Sequence, residues 1–254
     1  MTEHPILFSS PMVRAILGGC KTQTRRIVKP QPDLTKLGET VGPQGQRYYG
    51  KNAKPIESNG EWQFSIPGAA LYPWRSPYGQ PGDRLWVRET WRASCHCDDE
   101  SPSQMAPRSA DESVQVQYVA DGAESMSCCS EWGKQRPSIF MPRWASRITL
   151  EVTGVRVERL QSISEEDAEA EGMRAQVGDG GGRGSGYKWH GIGYEGATAG
   201  HFHTPGGGRC SCKIAGPTPA QCAYRDLWDS INAKRAPWAS NPWVWVIEFK
   251  RVAP

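Results

Sequence analysis

The stretch RITLEVTGVRVERL, which runs from Arg147 to Leu160, decides the fold of this chain. Apolar residues occupy alternate positions on both sides of a break at Gly154: Ile148, Leu150, Val152, Val155 and Val157. A period of two residues is typical of a β-strand that buries one face. The stretch is therefore the clearest strand signal in the sequence, with an interruption at Gly154.

Two helices and a last strand follow this stretch. Ser164 is the N-cap of a short helix whose first turn is acidic and which Gly172 ends. Residues 218–231 predict an amphipathic helix that carries Cys222, Tyr224, Leu227 and Trp228. Residues 243–252 alternate again and predict a final strand.

The elements before this stretch are shorter. A strand is predicted at 5–8. A helix then starts at Ser9-Ser10-Pro11, with serine as the N-cap and proline at the first helical position, and runs to about Leu17, where Gly18-Gly19 ends it. Further strands are predicted at 24–28 and, after a turn, at 82–90. Together the elements predict one α+β domain over residues 1–254, dominated by a curled sheet.

Three long segments interrupt this core: about 30–80, 93–137 and 174–216. They read as loop insertions, because glycine (28) and proline (20) make up about a fifth of the chain. Only residues 62–66 and 114–119 within them resemble strands.

The charge of +3 is small but unevenly distributed. Residues 11–30 and 132–150 contain basic side chains and no acidic ones, which suits contacts to phosphate groups. No run of 18 apolar residues is present and the N-terminus lacks the features of a signal peptide, so we expect no membrane partner and a cytoplasmic location.

The segment ILGGCKTQTRR, Ile16–Arg26, carries the most chemistry for its length. After two glycines it places a lysine, hydroxyl and amide side chains and two arginines within six residues. A turn requires none of these groups, whereas a site for an anionic or nucleotide-like ligand uses most of them.

Three features together resemble the ASCH family, a branch of the PUA-like β-barrels. They are the segment from Gly18 to Arg25, the motif GDRLWVRE at 82–89, and the late order of strand 147–160, acidic helix 164–171 and strand 243–252. The resemblance implies a PUA-like barrel with short flanking helices and long loop insertions. Because the insertions exceed a minimal domain, the chain resembles the larger members encoded by bacteriophages and prophages, which act in the host cytoplasm.

The resemblance also implies an activity. Small bacterial members of the family are amidohydrolases that deacetylate N4-acetylcytidine with a lysine, a threonine three residues later and a glutamate from the acidic helix. Those roles fall on Lys21, Thr24 and Glu171, with Glu169 as the alternative register. Thr24 would be the nucleophile, Lys21 the base once burial and nearby arginines lower its pKa, and Glu171 the orienting or proton-shuttling group.

One geometric condition follows from the spacing. Side chains 21 and 24 point to opposite faces in a regular strand, so both reach one pocket only if the segment contains a turn or bulge. Further ligand contacts are expected from the two arginines that end this segment, from the strand of the motif GDRLWVRE and from a tryptophan between basic residues: Arg25, Arg26, Arg88, Glu89 and Trp144. Core packing is the equal alternative for Trp144.

Two other functions fit the same residues. One is a non-catalytic module that binds RNA or DNA in the same basic pocket. The other is a phage accessory protein that binds a host protein through its insertions.

The cysteines suggest a structural zinc ion, and no other cofactor is required. Four ligands are available in one insertion from Cys95, Cys97, Cys128 and Cys129. A second set comprises His203, Cys210, Cys212 and Cys222. Neither spacing is the usual CxxC, so the alternative is that these are reduced thiols that pack or face solvent.

Overall fold

The computed structural model describes the residues 1–31, 39–41, 47–49, 54–58, 61–65, 75–105, 114–122, 132–177, 187–190 and 219–252. Its strands are β1 (Glu3–Leu7), β2 (Gln23–Ile27), β3 (Glu39–Val41), β4 (Arg47–Tyr49), β5 (Lys54–Ser58), β6 (Glu61–Ser65), β7 (Arg84–Arg88), β8 (Trp91–Ala93), β9 (Val116–Tyr118), β10 (Thr149–Arg159), β11 (Arg174–Val177), β12 (Tyr187–His190) and β13 (Trp243–Arg251). Its α-helices are α1 (Ser10–Leu17), α2 (Glu165–Ala170) and α3 (Pro219–Asn232).

Five strands form the central sheet in the order β1-β7-β10-β13-β2. β1 and β7 are parallel, and the other neighbours are antiparallel. The α+β class is confirmed, but these strands form no closed barrel, since β1 and β2 each have one neighbour. The two edges of the sheet nevertheless approach each other. A guanidinium N–H of Arg26 in β2 donates to the backbone oxygen of Leu7 in β1, and this contact between edge strands shows that the sheet is strongly curled.

The predicted interruption at Gly154 is a register shift between β10 and β13. Val152 pairs with Phe249, whereas Gly154 pairs with Glu248, so Thr153 is the extra residue of a bulge. A Cβ at Gly154 would lie 2.7 Å from Glu248 Oε2, so a larger residue there would have to displace this carboxylate, which Arg156 contacts.

β13 is buried on both faces. Its odd-numbered side chains from Trp243 to Phe249 enter one core, which the sheet shares with β1, β7 and α1. Val244 and Val246 enter a second core under α2 and α3. The sheet therefore separates two apolar layers, and β2, the neighbour of β13, lies between them.

Both short helices end as their sequences predict. α1 follows Ser9, whose side chain makes no capping bond, and ends at Gly18 and Gly19, the latter with φ of +69°. In α2 the Ser164 side chain accepts from the Asp167 N–H. Gly172, with φ of +101°, ends α2, since this backbone region favours glycine.

The predicted insertions contribute two-stranded pairs where they are described: β3–β4, β5–β6, β8–β9 and β11–β12. A third apolar cluster lies beside β8 and contains Trp91, Met105 and Met141. Within the described part of the chain, no helix is long and apolar enough to span a bilayer.

Candidate functional site

The loop between α1 and β2 carries Lys21 to the end of α2. The Thr22 N–H donates to the backbone oxygen of Ala170 at 2.9 Å, which ties this loop to α2. Lys21 Nζ then donates to Glu171 Oε2 at 2.6 Å and to the Glu171 backbone oxygen at 2.9 Å. The side chains are 1% and 4% exposed, so two of the predicted catalytic residues form a buried ion pair.

Burial is the main reason that the pKa of Lys21 lies below its ordinary value. The carboxylate of Glu171 opposes this shift, while the charges of Arg26 and Arg25 add to it. A lysine must lose its proton before it can act as a base, and the direction of the shift favours that loss.

The alternative register, Glu169, is not part of the pair. Its side chain is exposed, whereas Glu171 is buried and contacts Lys21. Gly172 ends the helix immediately after Glu171, and this helix end places Glu171 against the loop.

Arg25 links the pair to a wider network of charges. Its Nη2 donates to Asp167 Oδ2 at 2.7 Å and lies 3.4 Å from Glu158 Oε2, and its Nη1 lies 3.6 Å from Glu171 Oε1. Burial opposes the ionisation of Asp167, but Arg25 and Arg156 outweigh it and hold the pKa of Asp167 below its ordinary value. Arg25 is thus a positioning group for Glu171.

Tyr224 of α3 is a site residue that sequence reasoning placed only on a helix. Its hydroxyl donates to Glu171 Oε1 at 3.4 Å, and its ring centroid lies 5.9 Å from the Arg25 guanidinium carbon. Burial raises the pKa of Tyr224 well above its ordinary value, so the hydroxyl stays protonated and remains a donor. A tyrosine on the apolar stripe of an amphipathic helix was the only signal available in the sequence.

A cavity of about 810 Å³ adjoins this cluster. Its wall includes Thr24, Arg25, Glu171 and Tyr224, together with the start of α1 and the end of α3. Lys21 does not line it, so Glu171 stands between the cavity and the lysine as the contact group. The volume falls in the range that holds small-molecule ligands, roughly 300–1,000 Å³.

The side chains of Thr24 and Arg25 lie on opposite faces of β2. Arg25 is paired with Val246 and faces α2 and α3, whereas Thr24 is paired with Ile247 and faces the other core. Lys21 precedes β2 and so is not bound by the strand's alternation, but it does not line the cavity that Thr24 lines. Thr24 is buried and lines the cavity, and its hydroxyl has no hydrogen-bonding partner among the described residues.

Arg26 also lines the cavity. Its guanidinium carbon lies 5.1 Å from the ring centroid of Phe8, and it bonds the backbone oxygen of Leu7. Lys21 Nζ lies 5.9 Å from the centroid of the same ring, so both cations contact Phe8.

Arg88 and Glu89 contact residues outside the cavity wall. The Arg88 guanidinium carbon lies 5.4 Å from a Trp86 ring centroid, and its Nη2 donates to the backbone oxygen of Ile139. Glu89 is buried and accepts from Arg147 Nε at 3.0 Å and Nη2 at 3.1 Å. Neither residue lines the cavity, so their predicted role in ligand binding has no support from it.

Trp144 packs against other side chains, which is the alternative that the sequence analysis gave for it. Its ring meets Trp91 edge-on at 5.9 Å between centroids, and its Nε1 donates to the backbone oxygen of Pro102 at 3.3 Å. It borders the third apolar cluster and does not line the cavity.

Only some of the proposed zinc ligands are among the described residues. Cys95, Cys97 and Cys222 are free thiols, and burial raises the pKa of Cys222. The other proposed ligands lie outside the described residues: Cys128, Cys129, His203, Cys210 and Cys212. Within the described ranges no three histidine, cysteine or acidic side chains are grouped as metal ligands would be.

Comparisons with protein-family profiles, with curated proteins and with solved structures found no match to this chain. The resemblance to the ASCH family therefore rests on the sequence motifs. The structure itself provides one chemically distinctive feature. It is the cluster of Lys21, Glu171, Arg25 and Tyr224, which lies beside a cavity lined by Thr24.

Proposed function

We propose that the cavity binds a cytidine-like nucleoside and that the protein hydrolyses an N-acyl group on its base, as an N4-acetylcytidine-type amidohydrolase does. The observation that carries this proposal is the buried Lys21–Glu171 pair beside a cavity that Thr24 lines. The pair supplies a proton acceptor and the threonine supplies a hydroxyl nucleophile.

The reaction takes place in two balanced steps. Thr24 Oγ1 attacks the acyl carbonyl carbon, its proton passes to the Lys21–Glu171 pair, and the carbon–nitrogen bond breaks as the leaving amine takes that proton. Water then cleaves the acyl ester and restores the hydroxyl of Thr24. Because Glu171 lines the cavity and touches Lys21 Nζ at 2.6 Å, we assign Glu171 the role of carrying the proton between them.

The cationic wall supports the same reaction. Arg25 and Arg26 border the cavity, and a positive wall stabilises the oxyanion that forms when the carbonyl is attacked. Arg25 and the hydroxyl of Tyr224 both contact Glu171 Oε1, which limits the motion of the carboxylate.

The test is a turnover assay on N4-acetylcytidine and its deoxy analogue. Wild type should release cytidine, and Thr24→Ala and Lys21→Met should lose at least about a hundredfold in rate. Thr22→Ala is the matched control, because Thr22 is exposed, lies two residues away and does not line the cavity. Circular dichroism checks that each variant is folded. A folded wild type that releases no cytidine would reject this substrate class.

A second function is favoured by the charge of the cavity wall. Among the described residues that line it, one is acidic, Glu171, and five are basic: Arg25, Arg26, Lys29, Arg75 and Arg235. A module that binds RNA or DNA without turnover needs such a wall and no nucleophile. Binding of RNA that weakens steeply with salt, unaffected by Thr24→Ala and without hydrolysis, would favour this function.

A further inference from the structure

The cavity wall carries more positive charge than its own acid neutralises. Glu171, the one acidic residue among the described lining residues, is already held by Lys21 at 2.6 Å and by Arg25 at 3.6 Å. Within the described part of the chain, Arg26, Lys29 and Arg235 form no ion pair. An uncompensated cationic cavity attracts an anionic ligand more strongly than a neutral one.

Arg26 is a cavity-lining cation beside the start of α1. Its guanidinium lies over the Phe8 ring and bonds the backbone oxygen of Leu7, immediately before the first turn of α1. Its Nε is enclosed by the protein, whereas Nη1 is not among the buried unpartnered atoms and, of the guanidinium nitrogens, Nη2 makes the hydrogen bond to Leu7, so Nη1 is the donor left for a ligand. The first turn of α1 contains no acidic residue, and Ser9 lines the cavity without capping the helix.

We infer that the ligand of this cavity is a phosphorylated nucleoside, whose phosphate binds at Arg26 while Lys29 and Arg235 contribute longer-range attraction. The inference rests on the proposed binding of a cytidine-like nucleoside and adds the phosphate to it. A guanidinium suits this role, because it binds phosphate oxygens through several N–H groups held in one plane. The nucleoside then reaches Thr24 and Glu171, which line the same cavity.

Calorimetric titration tests this directly with cytidine, cytidine 5′-monophosphate and inorganic phosphate as the ligands. Wild type should bind the monophosphate at least about tenfold more tightly than cytidine, since charge-assisted hydrogen bonds to phosphate are the strong class. Most of that ratio should be lost in Arg26→Gln. It should fall roughly threefold in Lys29→Gln, whose side chain is exposed and whose replacement does not threaten folding.

Lys134→Gln is the matched control for Lys29→Gln. Lys134 is an exposed lysine that does not line the cavity, so its replacement should leave the ratio unchanged. Raising the salt concentration should shrink the ratio in wild type, because screening weakens exposed charges. A cytidylyl dinucleotide distinguishes the two sources of the phosphate: binding tighter than that of the monophosphate would assign it to a nucleic-acid chain.

The outcomes separate this inference from the proposed function. Equal affinities for cytidine and its monophosphate, or a preference that Arg26→Gln leaves intact, would overturn the inference even if N4-acetylcytidine is hydrolysed. Failure of both ligands to bind would overturn it as well. A preference that depends on Arg26, in a protein that releases no cytidine, would support the inference and reject the hydrolysis.

Discussion

Replacing Glu171 by glutamine should leave the buried positive charge of Lys21 without a negative partner. In the wild type, Lys21 has a side chain that is 1% exposed and a carboxylate oxygen 2.6 Å from its Nζ. Glu171→Gln keeps the size of the side chain and a hydrogen-bond acceptor but removes the negative charge. The neighbours that remain, Arg25 and Arg26, repel the ammonium group.

The structure sets the size of the effect. At an effective dielectric constant of about 20, opposite charges at this separation attract by about 6 kcal/mol. Removing one partner of a buried pair typically costs about 3–5 kcal/mol of stability. Lys21 can also escape the penalty by losing its proton, which from an ordinary pKa of about 10.4 costs about 4.6 kcal/mol at pH 7. We therefore expect a loss of about 3–5 kcal/mol.

The same reasoning gives the loss a dependence on pH. If the folded variant holds Lys21 neutral, its unfolded state binds one more proton below the ordinary lysine pKa, so stability rises as pH rises. The cost of Glu171→Gln should then shrink by about 1.4 kcal/mol per pH unit between pH 7 and pH 9. The double variant Lys21→Met/Glu171→Gln contains no unpaired buried charge. It should therefore show neither the large loss of stability nor the added dependence of stability on pH.

Urea denaturation at several pH values measures these differences. Glu169→Gln is the control, because this exposed glutamate lies two residues away and should change stability by no more than about 0.5 kcal/mol. A cost below about 1 kcal/mol for Glu171→Gln would show that water screens the pair, and it would refute the reasoning from burial. A large cost that does not change with pH would show instead that Lys21 stays charged in the folded variant.

Two further predictions concern other buried groups. Arg147→Met removes both N–H donors from the buried Glu89 carboxylate, whose pKa burial already raises, so about 2–3 kcal/mol should be lost at pH 7. The loss should shrink as the pH falls through the ordinary glutamate pKa, because Glu89 then becomes protonated in the unfolded chain as well as in the folded variant. Urea denaturation beside Arg143→Met, which breaks only the exposed pair with Glu3, tests this, and equal losses would contradict it. Tyr224→Phe should cost about 1 kcal/mol at pH 7 and should flatten the decline of stability above pH 10, because the folded wild type keeps this tyrosine protonated while the unfolded chain ionises it. An alkaline decline that is unchanged in the variant would count against a buried hydroxyl.

Much of the local structure was predictable because its causes lie within a few residues. The alternation around Gly154 predicted both the strand β10 and its irregularity, and the bulge is where the pattern breaks. The cap at Ser164 and the glycine at Gly172 predicted the limits of α2. Both follow from local backbone geometry and local hydrogen bonds.

The site was predictable only in part. The sequence singled out Lys21, but it left Glu171 and Glu169 open, because two residues at a helix end differ in direction rather than in chemistry. It left Trp144 open between a ligand contact and core packing, and the tryptophan packs on Trp91. Alternation along a strand tells which residues share a face, not what lies opposite that face.

The sequence by itself determined the main strands and helices of the core and the basic segment that carries Lys21, since periodicity, caps and glycines act over neighbouring residues. It did not predict the short strands β3, β4, β5, β11 and β12 of the insertions, where no such pattern is present. Only the tertiary structure decided the strand order, the open sheet and the meeting of Lys21 with Glu171, which are 150 residues apart. It also added Tyr224, 53 residues further along. Contacts over such separations depend on how the two apolar cores pack around β13, and no local pattern specifies that packing.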